Sequence, residues 1–240
     1  MTEVQFFATC LAEQFFPNAV EACVKILEQQ KLKVRALRHV LCCGQAPFNE
    51  GLRDDALELA RRFLKHCRPG IPLVVPSGSC ASMLKIFYAD LLAAEPDLRE
   101  QAAALRPWIF ELSQFLVNVL KVKYVGARFE HTVAYHPSCH LARELHVADE
   151  PLRLLSNVAG LKLVEFRNPE ECCGFGGMFS VKFPEISTAM AEDKIIRLQE
   201  TDADTLVAND CGCLMQLGGA IHRRGINIQV RHLAEVLAAR

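Results

Sequence analysis

The sequence predicts an α/β protein built from two pseudo-symmetric copies of one cysteine-bearing unit, each a small parallel sheet flanked by helices. Three observations predict it: a cysteine pattern that occurs twice in one order, short apolar runs alternating with amphipathic stretches, and a composition able to bury a core. In the first copy 31 residues separate Cys10 from Cys42-Cys43-Gly44, and a further 36 separate Cys43 from Cys80. In the second, 32 residues separate Cys139 from Cys172-Cys173-Gly174, and 39 separate Cys173 from Cys213. A fixed order at matched spacing is the signature of internal duplication. With 240 residues, 51% of them apolar and 23% charged, the chain can form one large domain or two small ones around a proper core.

The elements follow in order. Val4-Gln-Phe-Phe-Ala8 is a short extended run leading to Cys10. From Pro17 to Gln30, Val20, Cys23, Val24 and Leu27 fall at i, i+3, i+4 and i+7 and make one helical stripe. Pro17 suits the first turn, where its missing N–H costs nothing. After the first Cys-Cys-Gly, a helix from about Leu52 to Cys67 puts Ala56, Ala60, Phe63, Leu64 and Cys67 on one face. Leu73 to Val75 has the run of a buried strand and leads through Pro76-Ser-Gly-Ser to Cys80. Glu95 to Val125 is expected to connect or to form an interface, with Pro107-Trp108 opening its longest helix and Ile109 to Leu120 packed within it. The second unit repeats the plan: Thr132-Val-Ala-Tyr135 before Cys139, a strand within Leu161 to Phe166, Cys172-Cys173-Gly174, then Leu206-Val207 before Cys213. Strands alternating with helices in this way imply parallel pairing. The expected boundary gives a first repeat with connecting helices over 1–127 and a second repeat over 128–240.

Several function classes are excluded. The formal net charge is -1, so no basic footprint advertises nucleic acid. Arg61-Arg62 and Arg223-Arg224 are short enough to be solvated helix faces. Met1-Thr-Glu-Val-Gln-Phe-Phe7 lacks the basic and apolar regions of a secretory leader. The longest apolar run, Ile109 to Leu120, is interrupted by Glu111, Gln114 and Asn118, so no membrane span is expected. A cytoplasmic protein is the expectation. There eleven cysteines do not make a disulfide framework, and metal binding or redox chemistry is the leading explanation.

Adjacent cysteines in a regular strand point to opposite faces, so Cys42 and Cys43 serve one centre only if the backbone turns, which Gly44 permits. Gly174 does the same for Cys172 and Cys173. At strand ends that lead into helices, free backbone N–H groups favour the several negative charges of gathered thiolates. Cys23 and Cys67 lie on apolar helical stripes without a counterpart and are expected to fill the core. Cys211, two residues before Cys213 and opposite Gly78, is either a spare ligand or a bystander, and the second is favoured. Soft thiolates suit zinc or an iron–sulfur cluster. Zinc prefers pairs with two to four intervening residues, whereas the short gaps here are zero and one, which favours a cluster and leaves zinc as the alternative. His136-Pro-Ser-Cys139-His140 lacks the first cysteine of a haem attachment run, and His140 is either a flanking hydrogen-bonding group or a structural histidine. Gly174-Phe-Gly-Gly177 does not fit a dinucleotide fingerprint.

The doubled skeleton resembles the cysteine-rich CCG-domain proteins, which include the heterodisulfide reductase B subunit and the iron–sulfur subunit of glycolate oxidase. Longer stretches resemble the lactate utilization protein A family: Thr9-Cys-Leu-Ala-Glu-Gln-Phe-Phe-Pro17, Cys42-Cys-Gly-Gln-Ala-Pro-Phe-Asn49, Pro76-Ser-Gly-Ser-Cys80, Cys172-Cys-Gly-Phe-Gly-Gly177 and Cys213-Leu-Met215. That resemblance implies an iron–sulfur subunit, inactive alone, of a complex that oxidises L-lactate to pyruvate. Its implied partners are a ferredoxin-type iron–sulfur protein and a small third subunit. The implied ligands are Cys10, Cys42, Cys43 and Cys80 in the first repeat and Cys139, Cys172, Cys173 and Cys213 in the second. They would hold a 4Fe-4S cluster, one or two per chain. The fullest form of the motif ends in Cys-x-x-Cys and can hold a five-sulfur, non-cubane cluster. Here Ser77 and Asp210 take the first of those positions, so an ordinary cluster is implied, with Ser77 or Asp210 available as oxygen ligands. Electron transfer for another 2-hydroxy acid such as glycolate, or for a disulfide, is the alternative within the group. A zinc-stabilised binding protein is the alternative outside it.

Overall fold

The computed structural model describes residues 1–240. Two four-stranded sheets repeat one topology. The first holds β1 (Glu3–Phe6), β2 (Lys33–Ala36), β3 (Leu73–Val75) and β4 (Ile109–Glu111) in the order β2-β1-β3-β4. The second holds β5 (Thr132–His136), β6 (Lys162–Val164), β7 (Thr205–Ala208) and β8 (Gln229–His232) in the order β6-β5-β7-β8. Every pairing is parallel, with Val4 opposite Val34 and Val133 opposite Leu163 in matching registers. Parallel neighbours need a crossover, and helices such as Pro17–Gln29, Arg53–His66 and Pro184–Gln199 supply it. The central strands β3 and β7 are buried along their whole length, as their unbroken apolar runs require, while edge strand β2 is largely exposed.

The segment before the second unit departs from expectation. Arg106–Trp108 is a single tight turn rather than the opening of a long helix, and Ile109–Glu111 is a strand that extends the first sheet through Leu73 opposite Ile109. Pro107 has no N–H to continue the preceding helix, Pro96–Leu105, and the chain turns there. Glu111 then restarts helical structure by accepting the Ser113 and Gln114 N–H groups through its carboxylate. The rest of the run, Leu112 to Val119, is helical and widened at Phe115–Val119. Its residues Leu112, Phe115 and Leu116 are fully buried between the units.

One core cluster is shared by both units. It takes Val4 and Phe6 from β1, Val133 and Tyr135 from β5, and the facing helices Pro17–Gln29 and Leu233–Ala238 through Cys23, Ile26, Leu27, Val236 and Leu237. Each fully buried Leu or Ile there contributes about 1.5–3 kcal/mol relative to exposure. A polar seam fixes the register of the two units. The last residue of β4, Glu111, accepts from Asn209 Nδ2 at 2.8 Å; the last residue of β8, His232, donates from Nε2 to the Pro76 carbonyl at 2.9 Å. Pro76 and Asn209 hold the same place, just past the ends of β3 and β7, so each unit reaches over the other in the same way. Gly78 closes the seam, because a Cβ there would meet Leu141 Cβ at 2.7 Å and Ser138 Oγ at 2.8 Å. The carboxyl ends of both sheets are thereby turned toward one another. No helix is long and apolar enough to cross a membrane.

Candidate metal centre

Ligands of open parallel sheets collect at the carboxyl ends of the strands. The chain leaves β1, β2 and β3 into Cys10, Cys42-Cys43 and Cys80, and leaves β5, β6 and β7 into Cys139, Cys172-Cys173 and Cys213. All eight line one cavity of about 300 Å³ between the units. Cys10 opens the helix Cys10–Phe15, Cys80 lies in Gly78–Ser82, and Cys213 lies in the first turn of Cys211–Arg223. Gly44 and Gly174 adopt left-handed backbone with φ of 86° and 83°, which turns each cysteine pair inward. In both turns the glycine N–H donates to the first cysteine, at 3.4 Å to Cys42 Sγ and 3.4 Å to Cys172 Sγ. Side chains cannot replace these glycines cheaply, since a Cβ on Gly174 would lie 2.6 Å from the Ser187 carbonyl oxygen.

The sulfurs converge in pairs. Cys43 Sγ stands 3.3 Å from Cys80 Sγ, Cys173 Sγ 3.1 Å from Cys213 Sγ, and Cys10 Sγ 4.0 Å from Cys42 Sγ. None of the eleven cysteines is disulfide-bonded. Thiol hydrogen bonds from Cys10 and Cys43 hold Cys42 down to about 3, with the Gly44 N–H adding to them. Those from Cys139 and Cys173 hold Cys172 down to about 2. The donors pay in the opposite direction: their bonds to the thiolate push Cys10, Cys43, Cys139 and Cys173 up. Each unit thus carries one ready thiolate held by two protonated thiols, and filling the site must release their protons.

The remaining predicted residues fall into two groups. Ser77 and Asp210 cap the helices that carry Cys80 and Cys213. Asp210 accepts Gly212 N–H at 3.0 Å and, across the seam, Ser79 N–H at 2.9 Å and the Ser77 hydroxyl at 3.0 Å. Their oxygens are committed to joining the units. His140 lies on the cavity wall with Nε2 3.4 Å from Gln45 Nε2 and its ring edge-on to Phe87, again between units. Cys211 lines the cavity, but its sulfur makes no hydrogen bond, and burial pushes its thiol above the usual range. Cys23 is fully buried in the shared core, and half-buried Cys67 packs under the first sheet. Thr9, immediately before Cys10, is a β-branched residue at φ 69°, a strained conformation of the kind that concentrates at functional sites.

Sequence reasoning missed His136. It ends β5 fully buried, donates from Nδ1 to the Pro169 carbonyl at 3.1 Å, and leaves Nε2 without a partner. A ring nitrogen of His136 and the sulfurs of Cys173 and Cys213 all lie within 4.8 Å of one another. Burial, helped by the nearby Lys194, lowers the imidazole to about 4, so it is neutral at physiological pH. Five buried polar side-chain atoms lack a partner in the whole chain, and three of them, His136 Nε2, Ser138 Oγ and His140 Nδ1, lie within three residues of Cys139. Buried polar atoms are ordinarily paired, so these three are available to meet a bound group. Four soft donors per unit, with backbone N–H groups donating to one sulfur of each and unpaired nitrogens beside the second set, fit a metal ion or cluster.

Known proteins bear on this arrangement. The cysteine-rich CCG domain matches the chain twice, at residues 4–85 and 133–218. Lactate utilization protein A of Shouchella clausii is 43% identical over 234 residues, 98% of each chain. The protein of that name from Geobacillus kaustophilus is 44% identical over 238 residues, 99% of each chain. Among solved structures, a hypothetical protein from Helicobacter pylori superposes with a TM-score of 0.65 at 14% identity, over 97% of this chain and 48% of that one, which is a likeness of fold.

Proposed function

The chain belongs to the cysteine-rich CCG family and, within it, to the lactate utilization protein A group, and from that premise we propose that it is the iron–sulfur redox subunit of a complex oxidising L-lactate to pyruvate. The observation that carries the proposal is the convergence of two four-thiol sets on one cavity. Cys10, Cys42, Cys43 and Cys80 would hold one centre, and Cys139, Cys172, Cys173 and Cys213 the other. Iron–sulfur clusters supply one-electron transfer at a potential set by the hydrogen bonds and burial around their sulfurs.

The chain's own residues do the rest. Gly44 and Gly174 N–H groups direct hydrogen bonds at the sulfurs, and the seam of Asp210, Ser77 and Ser79 holds the two thiol sets facing one another. Ile, Leu and Phe side chains beneath each set keep water from its inner side. Met178, Val181, Phe183 and Ile186 expose an apolar patch directly after the glycine-rich turn Gly174 to Gly177, and such a patch suits partner docking. Removing the gene is expected to abolish growth on L-lactate and spare growth on glucose, with rescue by the wild-type gene and none by a Cys43→Ser/Cys173→Ser gene. Unimpaired growth on L-lactate, or rescue by the double variant, overturns the proposal.

A further inference from the structure

We propose that His136 Nε2 is a ligand of the second centre, which makes that centre a mixed sulfur–nitrogen site and leaves the first all-sulfur. The inference rests on the reading of the second thiol set as a metal centre, and it concerns a residue outside the doubled cysteine pattern.

Position provides the first step. His136 stands three residues before Cys139, and Phe7 stands three residues before Cys10. The two therefore hold the same place in the two units, each at the carboxyl end of its sheet's second strand in spatial order. Phe7 shows what the fold itself asks of this place: a buried ring, here packed edge-on against Phe63 at 5.1 Å. An imidazole adds two polar nitrogens to a site that a phenyl ring fills adequately. One nitrogen is satisfied, since Nδ1–H donates to the Pro169 carbonyl at 3.1 Å. The same bond fixes the tautomer, because a carbonyl only accepts, and it leaves a bare lone pair on Nε2. A buried lone pair without a partner costs free energy that Phe would spare.

Chemistry identifies the partner. Within 4.8 Å of a ring nitrogen lie two other ligating atoms, the sulfurs of Cys173 and Cys213, themselves within 4.8 Å of one another. Neither thiol donates to Nε2, and once both are thiolates the two anionic sulfurs have no proton to offer a lone pair. What then satisfies Nε2 is the metal that the same sulfurs hold. A carbonyl bound to Nδ1–H is also the usual support of a metal-bound imidazole, because it orients the ring and raises its basicity. The second unit thereby offers five donors, four sulfurs and one nitrogen, against four sulfurs in the first.

The test is pulsed EPR on the full chain, loaded with iron and sulfide anaerobically, reduced, and prepared with natural-abundance or 15N-labelled histidine. A strongly coupled nitrogen that changes with the label is expected in the wild type, lost in His136→Phe and retained in His140→Phe. The wild-type label comparison stands even where a variant folds poorly. Iron loading with only weakly coupled nitrogen, or a strong coupling that survives His136→Phe, overturns the inference and leaves the metal-centre reading intact. A chain that takes up no iron sinks both.

Discussion

The two cysteine units agree in their turns and differ in their walls. Both place a cysteine pair before a left-handed glycine, both use that glycine's N–H on the first sulfur, and both follow one strand order. Behind the first set stand Phe7, Phe63 and Tyr88, with ring centroids 5.1 Å and 6.2 Å apart in sequence. Behind the second stand His136 and Lys194. The correspondence is positional: Ala56 and Ser187 pack against Gly44 and Gly174, and Phe63 and Lys194 follow them by seven residues each. Lys194 is buried, donates from Nζ to the Pro169 carbonyl at 2.9 Å, and burial pulls its ammonium below the usual lysine range. Duplication preserved the donors while the surroundings diverged, so two similar ligand sets now sit in unlike electrostatic fields.

The largest expected effect removes one unit's centre and leaves the other. Cys43→Ser and Cys173→Ser are each expected to remove about half of the iron, measured as iron and sulfide per chain, because each takes a buried sulfur from the closest pair of its set. Cys23→Ser is expected to keep all of it, and equal loss there would contradict the ligand assignment. Next is the electrostatic difference. Lys194→Met is expected to lower the reduction potential of the second centre alone, since a nearby cation stabilises the more negative, reduced state. A redox titration that shows both centres moving together would erase the distinction between the walls.

A smaller effect concerns the seam. Asp210→Ser makes the second cap like the first, and it removes a buried carboxylate that accepts from Ser77, Ser79 and Gly212. A loss of about 3 kcal/mol is expected from denaturant midpoints, on the scale of hydrogen bonds to charged groups. Ser77→Ala, which leaves the carboxylate and its backbone donors, is expected to cost about 1 kcal/mol. The last effect is a pH slope. Burial pushes Glu111 up to about 7 from 4.5, so between those values the folded chain binds more protons than the unfolded one. Its contribution to stability therefore falls as pH rises from about 4.5 to 7. Glu111→Gln is expected to flatten that slope in thermal melts, and an unchanged slope would assign it to another group.

Sequence alone carried the doubled cysteines, the turn glycines and the central strands, because each has a local signature: identical spacing, a residue needed for positive φ, an unbroken apolar run. The strands β4 and β8 lacked one. Ile109–Glu111 sits inside a run with helical periodicity, and Gln229–His232 has Val230 as its one apolar residue; both exist because a neighbouring strand was there to pair with. His136 was hidden differently. In the sequence it belongs to a run that fails as a haem attachment, and nothing local distinguishes it from His140. Only the bond to the Pro169 carbonyl, 33 residues away, reveals which nitrogen is spoken for and which is bare. Ser77 and Asp210 were legible as gaps in a cysteine motif, but their capping role across the seam depends on residues more than 130 positions apart.

The central claim is that both thiol sets of this chain hold iron–sulfur centres. Iron, zinc and acid-labile sulfide counted per chain on protein purified without oxygen, which otherwise oxidises vacated thiols, test it most directly. The account predicts iron and sulfide in comparable amounts, in a coloured protein that bleaches on reduction, with about half of both lost in Cys173→Ser. A colourless protein with stoichiometric zinc and no sulfide would contradict it.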